Sequence, residues 1–209
     1  MTRYLILPLL FAHLAPSAVV VDRITIVVGK RAIKTSDIDR EIRITDFVNG
    51  DPLKIDAPSR AKAAERLIDQ EVIRREIESG GYSTAADPEV EQFLAELKKQ
   101  RFGPDTEFRR SLAQYGITEA TLRRHVQWQM TVLDFIEQRF RPGVVVSEDD
   151  FREYSGRHPV ATKDATATAE ERQRIEDEIA GPRVTKLFEE WLDQARRQAN
   201  LRRIEGAIE

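Results

Sequence analysis

The residues able to do chemistry in this chain are few and poorly spaced for it. Histidines stand at positions 13, 125 and 158, and there is no cysteine. His125 follows Arg123 and Arg124, and His158 precedes Pro159. Neither has a partner at the His-x-x-x-His spacing that sets two imidazoles on one helix face around zinc. Both therefore read as solvated or locally hydrogen-bonded side chains, and no metal site is expected. The lack of thiols also removes a thiolate nucleophile, a disulfide framework and a lipid-carrying cysteine. The acidic groups Glu148-Asp149-Asp150 and Glu189-Glu190 invite an acid–base reading. The first sits where a helix begins, at the end of the macrodipole that favours negative charge, and the second lies on the polar side of a helix bearing Trp191. No Gly-rich phosphate loop and no Gly-x-Ser-x-Gly turn occurs. The expectation is no catalytic residue, no cofactor and no enzyme.

Composition narrows the class further. The 209 residues suffice for one domain with a real core. They are 33% charged and 7% aromatic with a net charge of −3. Both signs are interspersed, which suits a mostly α protein and offers no basic field for nucleic acid. Residues 1–17 have the form of a secretory signal: Arg3 supplies a positive start, and the apolar run Tyr4 to Leu14 falls short of the ~20 residues that span a bilayer. Cleavage is expected after Ser17 or Ala18, a retained signal anchor being the alternative. The expected product is exported, with no stable membrane insertion.

The elements follow from periodicity and caps. Ile24, Ile26 and Val28 alternate as a strand, Gly29-Lys30 makes a hairpin turn, and Arg31 to Lys34 returns. Thr35 and Ser36 offer N-cap oxygens to a first helix. Pro58 and Ser59 open a helix to Ser79 that Gly80-Gly81 stops, and Asp87-Pro88 opens one through about Gln100. Asp105 caps a short helix ended by Gly116, Thr118 starts the longest run to about Phe140, and Ser147 caps another short helix. Val144 to Val146 read as extended. A final helical region begins near Thr168, is interrupted or kinked at Gly181-Pro182, and carries Val184, Leu187, Phe188, Trp191, Leu192 and Ala195 on one face. Leu201 to Ile204 is a candidate last strand. The long helix bears two apolar stripes, Leu122, Val126, Met130, Leu133 and Phe140 on one side and Trp128, Val132 and Phe135 on another. That pattern describes either a central helix covered twice or one face left for a partner.

Five segments in this order resemble the SurA family of periplasmic chaperones. They are Asp22 to Lys30, Glu65 to Glu71, Phe108 to Gly116, Val146 to Phe151 and Phe188 to Leu192. The resemblance implies a helical core built by residues 18–158 and completed by a C-terminal helix and strand at 170–209, the first strand pairing with the last. It also implies binding of unfolded or outer-membrane-bound polypeptides without ATP. The family carries parvulin-type prolyl isomerase domains before the final helix, whereas this chain has only the link 159–169, too short to enclose a domain. The expected function is a periplasmic chaperone, with a diverged prolyl isomerase or a dedicated envelope assembly subunit as alternatives. Phe102, Phe108, Trp128, Val132 and Phe135 are the candidate peptide-binding residues, each with core packing as its other reading. Client identity and oligomeric state are not encoded in any motif.

Overall fold

The computed structural model describes residues 22–158 and 169–204, so the expected leader and link segment 159–168 lie outside the described residues. The chain is mostly α, with a small antiparallel sheet. Strands β1 (Ile24–Val28) and β2 (Arg31–Lys34) form the hairpin, and Gly29 takes the positive φ of 60° that its turn needs. Seven helices follow in the described residues: α1 (Thr35–Asn49), α2 (Ala57–Gly80), α3 (Asp87–Arg101), α4 (Asp105–Tyr115), α5 (Glu119–Phe140), α6 (Glu148–Arg157) and α7 (Ala169–Gln198). Strand β3 (Leu201–Arg203) closes the sheet in the order β2-β1-β3.

The closing strand forms despite its poor alternation. Ile26 pairs with Arg203 and Val28 with Leu201, and Gly29 N–H donates to Asn200 O at 2.8 Å while Ile204 N–H donates to Thr25 O at 3.0 Å. Side chains of β3 are all exposed, so backbone pairing, helped by the Arg203–Glu65 ion pair at 2.6 Å, rather than burial holds it.

Caps differ from the sequence reading by one or two residues. The carboxylate of Asp56 caps α2 by accepting from Ser59 N–H at 2.9 Å, so the helix starts at Ala57 rather than at the proline. In α1 the N-cap is Lys34, whose N–H donates to Asp37 at 3.0 Å. Thr35 and Ser36 are spent elsewhere, Thr35 bonding Thr25 Oγ1 and Ser36 bonding Asp22. Asp87 and Asp105 stand inside their helices' first turns, behind N-caps Ala86 and Pro104. Ser147 and Thr118 cap as expected. Val144 to Val146 form no strand; Val145 O instead accepts from Arg183 at 3.0 Å. The longest helix is α7, which runs unbroken through Gly181-Pro182, both exposed.

Three apolar clusters meet around α5 and α7. One joins Ile44 and Phe47 of α1 to Val90, Leu94, Phe108, Leu112, Leu122 and Val126. A second joins Ile26, Val28 and Ile33 of the hairpin to α1 and α2, with Leu192, Ala195 and Ala199 from the C-terminal end packed on it. The third joins Ile73 and Ile77 of α2 to Phe135, Phe140 and Val184, covered by Phe188 and Trp191. Helix α7 therefore ties the C-terminal segment to a core begun by the first strand. Arg196 reinforces that tie, pairing with Glu65 and, at 2.7 Å, with Asp69 on α2. Trp191 is half-buried rather than enclosed, its ring 5.5 Å from Phe135 and 5.8 Å from Phe140.

Helix α5 is covered on both stripes, but not along their full length. Leu122 and Val126 enter the first cluster and Phe135 and Phe140 the third. Leu133, on the same stripe as Leu122 but ~16 Å further along the axis at 1.5 Å per residue, is 62% exposed, although Phe140 beyond it is buried in the third cluster.

Candidate functional site

Helix α1 packs on α2 and α4, while α5 packs on α3 and α7, and between these pairs a space is left that side chains line. Each helix offers a face at helical spacing: Glu41, Thr45 and Val48 on α1, Arg66, Gln70 and Ile73 on α2, His125, Trp128 and Val132 on α5, and Phe188 and Leu192 on α7. These residues, with Asn49, Asp69 and Gln129, line a cavity of about 470 Å³. Glu41, Gln70, His125 and Trp128 also line a second cavity of about 480 Å³, on the side of β2. The four form a layer between an apolar space and a charged one.

Glu41 anchors the layer. It is 6% exposed, and its Oε1 accepts from Arg66 Nε and Gln70 Nε2, both at 3.2 Å, and from Thr45 Oγ1 at 3.5 Å. A buried carboxylate needs such partners, because an unpaired charge there would carry its full desolvation cost. His125, read from the sequence as solvated or locally hydrogen-bonded, is half-buried where the two cavities meet. Burial pushes its pKa below 6.5 against the pull of Glu41, and Arg66 adds to the downward shift, so the imidazole is neutral at pH 7. His158 is locally bonded as expected, its ring stacked on Tyr154 with centroids 4.2 Å apart.

On α2, burial raises the carboxyl pKa of both Asp69 and Glu71, outweighing Arg196 beside the first and Arg31 and Arg74 beside the second. Arg74 lies over the Trp128 ring at 4.2 Å from its centroid, a cation–π contact that fixes the indole as a wall.

The five candidate peptide-binding residues divide into two groups. Trp128 and Val132 are half-buried and line the apolar cavity together. The other three lie away from it. Phe108 and Phe135, at 0% and 1% exposure, are core residues that reach no surface. Phe102 is half-buried but stacks on Phe47 with centroids 5.4 Å apart, in the first cluster. Sequence reasoning missed Phe188, Leu192, Glu41, Arg66, Gln70 and His125 as one site. One signal was available: Glu41 and Glu71 occupy positions flanked by Ile38, Ile42, Ile68 and Val72 on apolar helix faces.

No nucleophile is paired with a base in this arrangement, and no group of three His, Asp or Glu among the described residues could hold a metal ion. The site's chemistry is that of a binding surface, with aromatic and aliphatic walls and fixed charges at one side. No protein-family model and no curated protein matches the chain.

Proposed function

We propose that this chain is an exported, periplasmic, ATP-independent chaperone of the SurA-like kind, holding unfolded polypeptides, outer-membrane protein precursors among them. The observation that carries the reading is the apolar cavity. Trp128, Val132, Phe188 and Leu192, all half-buried, converge on about 470 Å³ from helices far apart in sequence. That volume lies within the ~300–1,000 Å³ of ordinary ligand pockets. Burying client side chains there is non-directional and tolerates many sequences, while the rim of Thr45, Asn49 and Gln129 limits self-association. The C-terminal helix that completes a core begun by the first strand supports the same reading, since the resemblance implies that arrangement.

Light scattering of an unfolded client at several-fold excess of the protein tests this. Wild type should suppress aggregation and Val132→Asp should not, with prolyl-limited refolding unaccelerated by either. Suppression that survives Val132→Asp would overturn the assignment of the groove. No suppression by wild type would favour a dedicated-partner subunit, and faster refolding would favour an isomerase.

A further inference from the structure

Behind the Glu41–Gln70–His125–Trp128 layer, the second cavity has a different chemistry. Arginines reach it from all four walls: Arg31 on β2, Arg40 on α1, Arg74 on α2 and Arg124 on α5. Their counter-charge is incomplete. Arg40 is paired with Asp37, but Arg31 and Arg74 share Glu71, whose Oε2 lies 3.4 Å from one Nε and 3.7 Å from the other. Arg74 Nε is buried without a hydrogen-bond acceptor. Arg124 donates to Thr121 Oγ1 at 3.4 Å and has no carboxylate partner among the described residues. A buried donor lacking an acceptor is costly, and a ligand that supplies one recovers that cost. The planar guanidinium fork matches the two oxygens of a carboxylate.

We propose that this cleft is a carboxylate-binding site, in which an acidic side chain or the free C-terminus of a bound polypeptide lies between Arg74 and Arg124, beside the Arg74–Trp128 stack. The assignment rests on the peptide-holding function above. It adds a polar determinant to otherwise sequence-tolerant binding, because Trp128 walls both cavities.

The test uses one fluorescent apolar nonapeptide in three forms: a C-terminal amide without acidic residues, the same peptide with a free C-terminus, and the amide with one internal Asp. Anisotropy should show about tenfold tighter binding for a carboxylate form, as expected for a charge-assisted pair. Whichever form gains identifies the source of the carboxylate. Arg124→Gln, at an exposed position, should erase the gain and leave the amide form unchanged. Equal affinity of all three forms overturns the carboxylate site and leaves the chaperone reading intact. In a Trp191→Phe background, where Trp128 is the remaining tryptophan, sodium benzoate is titrated against its emission. A benzoate response abolished by Arg124→Gln, with no peptide bound in any form, supports the cleft and overturns the chaperone reading. Silence in both assays overturns both.

Discussion

Replacing Phe135 by alanine should unfold the third cluster from its centre, and replacing its near neighbour Leu133 should do almost nothing. Phe135 is 1% exposed, and its ring meets Tyr82 at 5.0 Å, Trp191 at 5.5 Å and Phe140 at 5.8 Å between centroids, all with edge-on geometry. Truncating a buried Phe to Ala costs about 3–5 kcal/mol, and edge-to-face pairs add ~0.5–1.5 kcal/mol each beyond area. With three such pairs broken, the upper part of that range, about 4–5 kcal/mol, is expected. Against a total of about 5–15 kcal/mol and a urea slope of ~2–3 kcal/mol per M, the midpoint should fall by about 2 M at constant slope. Leu133, 62% exposed two residues away, should shift within about 0.5 kcal/mol. Urea titrations followed by circular dichroism decide it. Equal shifts for the two variants, or a Phe135→Ala shift below about 0.5 M, would refute the packing of α5 against α2 and α7.

Two further substitutions probe charge. Arg196→Ala removes the ion pairs to Glu65 and Asp69, all about a third exposed, so the cost should be about 1 kcal/mol at pH 7 and smaller in high salt. Because burial already raises the Asp69 carboxyl pKa, losing Arg196 raises it further, and the destabilisation should shrink as pH falls and that carboxyl protonates. An effect insensitive to both salt and pH would show that Arg196 acts through packing alone. His125→Gln addresses the layer itself. A folded-state pKa below 6.5 means that the unfolded chain takes up the proton first, so stability drains as pH falls through about 6.5. Asp69 and Glu71, with raised values, push the other way but are present in both proteins. Stability of His125→Gln between pH 7 and pH 5 should thus fall less steeply than wild type, and superimposable curves would place the imidazole in solvent.

Much of the fold was legible because caps and periodicity are local. Thr118 and Ser147 cap where their oxygens and the following apolar runs said they would, and Gly116 ends α4 in the left-handed conformation that glycine takes most cheaply. What was not legible depends on distant neighbours. Periodicity put Trp128, Val132 and Phe135 on one side of α5, but only the arrival of α7 decides that Phe135 is enclosed while Trp128 and Val132 face a cavity. The same limit hid the exposure of Leu133. Strand β3 lacked alternation because backbone pairing and one ion pair, Arg203 with Glu65 at 2.6 Å, hold it without a buried face. The Glu41 layer was invisible because a paired buried carboxylate looks, in sequence, like any polar residue interrupting an apolar stripe.

Whether clients are held in the groove under Trp128 and Val132 can be decided by the contrast between adjacent positions of α5. The chain has no cysteine, so Val132→Cys and Leu133→Cys each carry a single thiol that can be cross-linked to an unfolded outer-membrane polypeptide bearing its own. Leu133 is the more exposed of the two, so contact governed by mere exposure favours position 133, whereas contact in the groove favours 132. Cross-linking at 132 several-fold above that at 133 is the predicted result. Equal yields, a higher yield at 133, or none at either position would contradict client binding in this groove.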